Sequence, residues 1–183
     1  VSRYLITCAG VRADRVARMS GDRSGGRIVP FRGDYSTLTE DARGLVRGLI
    51  YPVPDPRFPF LGVHFTRRIN GEVWAGPNAV LAFARDGYRR RDVSMGDLGG
   101  TLTHRGFLKV ALRYWKMGAA EMIRDLSKRA FHRGLRRYLP ELRLEQLAPG
   151  PSGVRAQLVE QAGTLVDDFV LGGNDRVLHV LNA

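Results

Sequence analysis

The stretch Phe60 to Phe83, FLGVHFTRRINGEVWAGPNAVLAF, decides how the rest of the chain is read. Asn70-Gly71 sits between two runs with strand character, and a type I′ turn needs positive φ at both central positions, which Asn and Gly adopt cheaply. A β-hairpin is therefore predicted. With the usual two-residue loop, Ile69 faces Glu72, Arg67 pairs with Trp74 and Thr66 with Ala75. His64 then shares a face with Gly62, Thr66 and Ala75, a face short of bulky side chains where a ligand can approach the sheet. Leu61, Val63, Phe65 and Trp74 form the opposite, packed face. Gly76-Pro77-Asn78-Ala79 ends the hairpin in a turn that leaves backbone groups free to hydrogen-bond. On its own His64 reads as an ordinary strand histidine; these neighbours make it a candidate.

Working outward, residues 1 to 10, VSRYLITCAG, read as a buried strand ending in small residues. Val11 to Met19 continues as an Arg-rich amphipathic helix with Val11, Val16 and Met19 on its apolar side. Ser20 to Gly26 is a flexible connection. RIVPFRGDYSTL and LVRGLIYPV are short strands whose prolines, Pro30, Pro52, Pro54, Pro56 and Pro59, suit edges, ends and turns. Together with the hairpin they make an antiparallel sheet of about four strands.

From Arg91 onward the pattern turns helical. Residues 91 to 103 are a short helix or loop, and Phe107 to Trp115 carries an apolar stripe at helical spacing. Gly118 interrupts it. Ala119 to Leu139 resumes with Met122, Ile123, Leu126, Ala130, Phe131, Leu135 and Leu139 on the inner side and Arg124, Lys128 and Arg137 outside, until Pro140 stops it. SGVRAQLVEQ, TLVDDFVLG and DRVLHVLNA are three further strands, with the last turn at Gly172-Gly173-Asn174-Asp175. The fold class is α+β, a mainly antiparallel sheet packed with helices. The abrupt stop after an apolar strand reads both termini as cuts.

A chain of 183 residues buries about 70% of its unfolded surface on folding. The single cysteine, Cys8, excludes an internal disulfide and a cysteine-based zinc site, and points to a reducing, cytoplasmic setting. The histidines at 64, 104, 132 and 179 have no metal-ligand spacing, so no metal is expected. No run approaches the roughly 18 apolar residues of a membrane span, and no charged-then-apolar leader opens the chain. The net charge of +11 raises a basic module for nucleic acid or an anionic surface as an alternative function. That charge is arginine dispersed along the chain without interleaved stacking aromatics, so nucleic acid is not expected as a partner.

Arg155, between Gly153 and Ala156 in what reads as a buried strand, requires a partner, either Asp167 or Asp168 or a bound anion. A guanidinium can grip both oxygens of a carboxylate at once. Arg32 in Pro30-Phe31-Arg32-Gly33 has the same two readings in a turn. No G-x-G-x-x-G, P-loop, G-x-S-x-G or H-E-x-x-H is present, so the reaction does not follow from motifs of that kind.

Longer motifs carry more. LITCAG with Ala13-Asp14, VPFRGDY, LIYPVPDP, the hairpin stretch itself, DGYRRRD, GVRAQ and VLHVLNA, in this order along the chain, resemble the L-2-hydroxyglutarate oxidase or dehydrogenase branch of the D-amino-acid-oxidase-like FAD enzymes. The resemblance implies FAD as cofactor and oxidation of L-2-hydroxyglutarate to 2-oxoglutarate by hydride transfer to flavin. It implies the later half of such an enzyme, the Gly-rich phosphate loop belonging to an N-terminal FAD-binding half that would be this chain's partner. Residues 1–24 then read as a remnant of a Rossmann-like FAD-binding domain, 25–160 as the substrate-binding domain with helices at 104–139, and 161–183 as strands returning to the FAD-binding domain.

The resemblance also implies roles. Cys8, Ala9 and Gly10 form the strand end near FAD, and His179 and Asn182 precede the segment that closes over the flavin. Arg155 falls where relatives grip the substrate carboxylate, with Arg32 as a second anion-binding candidate. His64 falls on the substrate side of the flavin and is the candidate catalytic base. The expected partners are a small 2-hydroxyacid and an electron acceptor at a membrane surface, which allows a place on the inner face of a membrane.

Overall fold

A computed structural model describes residues 2–22, 26–53 and 62–182. Phe60, Leu61, Pro54, Pro56 and Pro59, and Arg23 to Gly25 of the expected flexible connection, lie outside the described residues. The chain divides into two units, one made of residues 1–31, 81–115 and 154–183, the other of 32–80 and 116–153.

In chain order the strands are β1 (Leu5–Thr7), β2 (Gly26–Leu38), β3 (Leu49–Ile50), β4 (His64–Arg67), β5 (Val73–Gly76), β6 (Val80–Leu81), β7 (Leu147–Glu160), β8 (Val170–Asn174) and β9 (Val177–Leu181). The helices are α1 (Ala13–Met19), α2 (Met95–Leu102), α3 (Arg105–Leu126) and α4 (Lys128–Leu135). One sheet runs β1-β9-β8; the other runs β3-β4-β5-β2-β6, with β7 also pairing β2. The helices with mixed and antiparallel sheets fit an α+β class.

In the first unit β1 pairs with β9 in parallel, Thr7 opposite His179. It is a short and exposed strand, not the buried one its apolar run suggests: among the described residues β9 is its only ladder neighbour, and Leu5 and Ile6 face outward. Helix α1 buries Ala13, Asp14 and Ala17; of the expected Val11-Val16-Met19 side, Val11 packs against the core, Val16 is half-buried and Met19 is exposed, so the small residues form the inner face of the helix. Small side chains let the helix sit close to Ile28, Ala156, Leu158 and Leu181. The buried Asp14 is held by Arg85, whose Nη2 donates to Oδ2 at 2.9 Å and to the Ile28 carbonyl at 3.2 Å. The final turn is at residues 175–176, with Gly172 to Asn174 still inside β8, where Asn174 Oδ1 accepts the Val177 N–H at 3.1 Å.

In the second unit β3, β4, β5 and the end of β2 form an antiparallel sheet. Its inner face contributes Leu38, Phe65, Val73 and Ala75 to a core closed by Phe131 and Leu135 of α4, then Leu139, Leu142 and Leu147. Pro30 and Arg32 lie inside β2, which is a central strand, so neither the edge expected for the proline nor the turn expected for the arginine is present. LVRGLIYPV forms only the two paired residues of β3 after a 3₁₀ turn over Glu40–Leu45.

The long helix departs from its expected pattern. It runs through Gly118 without interruption, and its one non-helical residue is Tyr114, at φ −121° and ψ 20°. It ends at Leu126, and Ser127, accepting the Ala130 N–H, caps α4 as a separate helix. Between residues 116 and 126 the expected faces are exchanged: Glu121 and Asp125 are buried, whereas Ile123 and Leu126 are exposed at 61% and 67%. The reason is polar demand from β2 and the following turn, described next.

Candidate functional site

The hairpin forms, with a register one residue away from expectation. Phe65 faces Ala75, Thr66 faces Trp74 and Arg67 faces Val73. The Arg68 N–H donates to the Glu72 carbonyl at 2.7 Å and the Gly71 N–H to Arg68 at 2.9 Å, enclosing a three-residue loop, Ile69 to Gly71. Only Gly71 has positive φ there, +83°, the pattern of a type I turn closed by a glycine bulge. Asn70 instead uses its side chain, accepting the Glu72 N–H at 3.1 Å.

A slip of one residue exchanges faces. Ala75 therefore belongs to the packed face with Phe65, and Trp74 joins His64 and Thr66 on the other. That second face is aromatic rather than bare. Tyr51 stacks on His64 with centroids 4.3 Å apart, Tyr35 meets His64 edge-on at 6.4 Å, and Tyr35 lies 5.5 Å from Trp74. Arg68 covers the outer side of Trp74 at 4.3 Å, a cation–π contact.

The imidazole is oriented by the backbone. A carbonyl can only accept, so the 3.2 Å contact between His64 Nδ1 and the Gly62 oxygen places the proton on Nδ1 and makes Nε2 the accepting nitrogen. Gly62 holds φ +152°, and a Cβ there would stand 2.6 Å from Pro52, so glycine is required where the carbonyl is aimed at His64.

Beside this face lies a buried polar network within the same unit. Arg32 Nη2 donates to Asp125 Oδ1 and Oδ2 at 3.2 and 3.0 Å, and its Nε to Asp34 at 3.1 Å. Asn78 Nδ2 donates to Asp125 at 2.7 Å while its Oδ1 accepts the Asp34 N–H at 2.6 Å. Glu121 accepts the Ala79 N–H at 3.3 Å and pairs with Arg124. The turn after the hairpin thus has its Asn78 and Ala79 amides satisfied, contrary to the free groups expected. These bonds also explain the exchanged helix faces, because a buried Arg and Asn demand acceptors from whatever packs on them. Burial pushes the Glu121 carboxyl up, with the Asp125 charge adding to it; Arg124 and the Ala79 N–H only partly offset this.

The remaining candidates lie in the first unit. Arg155 is on β7 but exposed, not buried among apolar neighbours; Ala156 to Val159 supply the buried part of that strand. Because β1 and β9 are parallel, Cys8 to Gly10 and Asn182 follow strands that end on the same side of the sheet. Cys8 is exposed, Gly10 has φ +50° and nothing lies within 4 Å of where its Cβ would be. Such an open end of parallel strands, lined by small residues, suits a cofactor.

His179 is buried, with Nδ1 2.7 Å from Thr7 Oγ1 and Nε2 2.5 Å from Ser20 Oγ. The Ser20 hydroxyl proton goes to the Ala17 carbonyl at 2.9 Å, so His179 donates from Nε2 and accepts from Thr7 at Nδ1. Asn182, at φ 62°, accepts the Leu158 N–H at 2.7 Å and donates to Val166 and Asp168 carbonyls. Both side chains brace the strand ends rather than project from them.

Sequence reasoning singled out His64 and Arg32 as candidates, Arg32 in a turn where the structure has a strand, and did not single out Tyr35, Tyr51, Trp74, Asn78, Glu121 and Asp125. A register of Trp74 opposite Thr66 would have exposed the aromatic face. The charged pair Glu121 and Asp125, one turn apart within a basic helix, was the available signal for the network.

The whole chain, residues 1–183, matches the family model of FAD dependent oxidoreductases, and the protein belongs to that family. Among its relatives, the mitochondrial L-2-hydroxyglutarate dehydrogenase of Nematostella vectensis is 50% identical over 186 residues, covering 99% of this chain and 41% of that protein. The L-2-hydroxyglutarate dehydrogenase of Indibacter alkaliphilus is 49% identical over 183 residues, 100% of this chain and 46% of the relative. The mitochondrial enzyme of Homo sapiens is 46% identical, with 99% and 40% covered. The chain therefore spans less than half the length of these relatives. Among the described residues no helix is long and apolar enough to cross a membrane.

Proposed function

We propose that the protein to which this chain belongs oxidises L-2-hydroxyglutarate to 2-oxoglutarate. The observation that carries this reading is the similarity of 99–100% of the chain to L-2-hydroxyglutarate dehydrogenases at 46–50% identity. FAD, when bound, supplies the two-electron acceptor. The open strand end at Cys8 to Gly10 is the part of this chain that would hold it, with Asn182 alongside and His179 bracing both strands. We assign residues 1–24 and 161–183 to the FAD-binding domain and 25–160 to the substrate-binding domain.

His64 is the proton acceptor in this scheme. Its Nδ1–H is committed to the Gly62 carbonyl, so Nε2 takes the substrate hydroxyl proton as the C2 hydrogen leaves with its electron pair. Tyr51 stacks on its plane and Tyr35 meets its edge. Arg155, exposed on β7, supplies a planar fork for a substrate carboxylate. Arg32 is committed to Asp125 and Asp34 and acts on the site by holding the turn at Asn78.

The test is turnover by the full-length protein reconstituted with FAD, offered L-2-hydroxyglutarate, its D enantiomer and lactate under anaerobic conditions. Flavin bleaching with formation of 2-oxoglutarate from the L enantiomer alone is expected. Absence of bleaching with L-2-hydroxyglutarate overturns the reading.

A further inference from the structure

We propose that Tyr51 is a positioning residue for His64, an inference that rests on the reading of His64 as the proton acceptor. A hydrogen bond to one imidazole nitrogen selects the tautomer, but it leaves the ring able to swing about the Nδ1 to oxygen axis. A parallel ring in contact removes that freedom. Tyr51 supplies it, stacked on His64 at 4.3 Å with 22° between planes, while Tyr35 closes from the edge at 6.4 Å and 73°.

The placement follows from register. Leu49 faces Thr66 and Ile50 faces Phe65, so the next residue along, Tyr51, stands across from His64. The tyrosine is itself anchored, its hydroxyl 3.2 Å from Thr66 Oγ1 on the same face. It is 55% exposed and absent from the hydrophobic core, so its ring contributes little to folding. The Gly62 hydrogen bond, the Tyr51 stack and the Tyr35 edge contact therefore converge on one imidazole, and the stack comes from a side chain outside the buried core.

The experiment uses the full-length protein loaded with FAD and two variants, Tyr51→Phe and Tyr51→Leu. The stacked ring is expected to move the His64 ring protons upfield, identified by their loss in His64→Ala. That displacement should persist in Tyr51→Phe and vanish in Tyr51→Leu. The kcat for L-2-hydroxyglutarate should fall about tenfold in Tyr51→Leu with KM changed less than about twofold, because misplacement of a catalytic group acts on the transition state. Tyr51→Phe should stay within about twofold of the parent on both. Unchanged kcat in Tyr51→Leu, with His64→Ala strongly impaired, overturns the positioning role alone. Full activity of His64→Ala overturns the proton-acceptor reading beneath it. Equal kcat losses in Tyr51→Phe and Tyr51→Leu also overturn the proposal, since the hydroxyl and not the stack would then matter.

Discussion

Asp125 receives both oxygens' worth of hydrogen bonds from a single nitrogen of Arg32, at 3.2 and 3.0 Å, from a helix position flanked by exposed Ile123 and Leu126. Removing one member of a buried ion pair strands the other charge away from water, which costs far more than the pair itself contributes. Asp125→Ala should lower the unfolding free energy by about 3 kcal/mol, the low end for such a loss, because Asp34 still accepts from Arg32 Nε. Ile123→Ala, on the exposed side of the same helix, should change it by less than about 0.5 kcal/mol. Urea titrations of the two variants make the comparison.

Glu121 gives a pH dependence with a defined sign. Burial first, and then the Asp125 charge, raise its folded-state value above the ordinary 4.5, so the folded state keeps a proton that the unfolded state has lost. Its contribution is most favourable below 4.5 and declines as pH rises through the raised folded value. Glu121→Gln removes that decline, so its melting temperature relative to the parent should climb with pH across this window. A constant offset between the two would show that the carboxyl titrates alike in the folded and unfolded states.

Asp14 supplies the opposite slope. Burial pushes its carboxyl up, but the hydrogen bonds and charge of Arg85, the Ile28 N–H and Arg18 together bring it below the ordinary 3.8. The stability it adds is present above 3.8 and is lost as pH falls through the lowered folded value. Acid titration of Asp14→Asn, followed by circular dichroism, should show a shallower loss of structure at the acid end than the parent, from a lower starting stability.

Arg155→Lys tests the substrate side. The side chain is exposed, so the melting temperature should hold, whereas a charge-assisted bidentate contact worth roughly 1.5 to 3 kcal/mol is lost. KM for L-2-hydroxyglutarate in the full-length enzyme should rise about ten- to a hundredfold. A drop in melting temperature with KM unchanged would assign Arg155 to the strand instead.

Gly71→Ala should destabilise by about 1 kcal/mol, since φ at +83° places Cβ against the following carbonyl. Gly71→Asn should cost less, because Asn tolerates that region. Denaturation midpoints of the pair, measured side by side, check the bulge.

The hairpin was readable because Asn70-Gly71 interrupts two strand-like runs, and the helix at 128–135 because Phe131, Leu135 and the later Leu139 keep core spacing. The loop length was not, since Asn-Gly serves two-residue and three-residue turns alike, and that single residue decides whether Trp74 or Ala75 joins His64. Helix α3 misled for a different reason. Periodicity reports where apolar residues cluster, but the inner face here is chosen by acceptors for Arg32 and Asn78, which approach from far along the chain. His64 and Gly62 were singled out from sequence alone; the carbonyl that joins them depends on a φ of +152° that composition does not reveal.

The interleaving of the two units along the chain sets a timetable. The unit built from 32–80 and 116–153 has all these residues once Gly153 has left the ribosome, while the other unit waits for 154–183. Apolar residues of segment 1–31, among them Ala13, Ala17 and Ile28, are synthesised long before Ala156, Leu158 and Leu181 arrive to cover them. During synthesis residues 1–31 and 81–115 emerge before the residues 154–183 that complete their unit, and in that interval they are where chaperones would be needed.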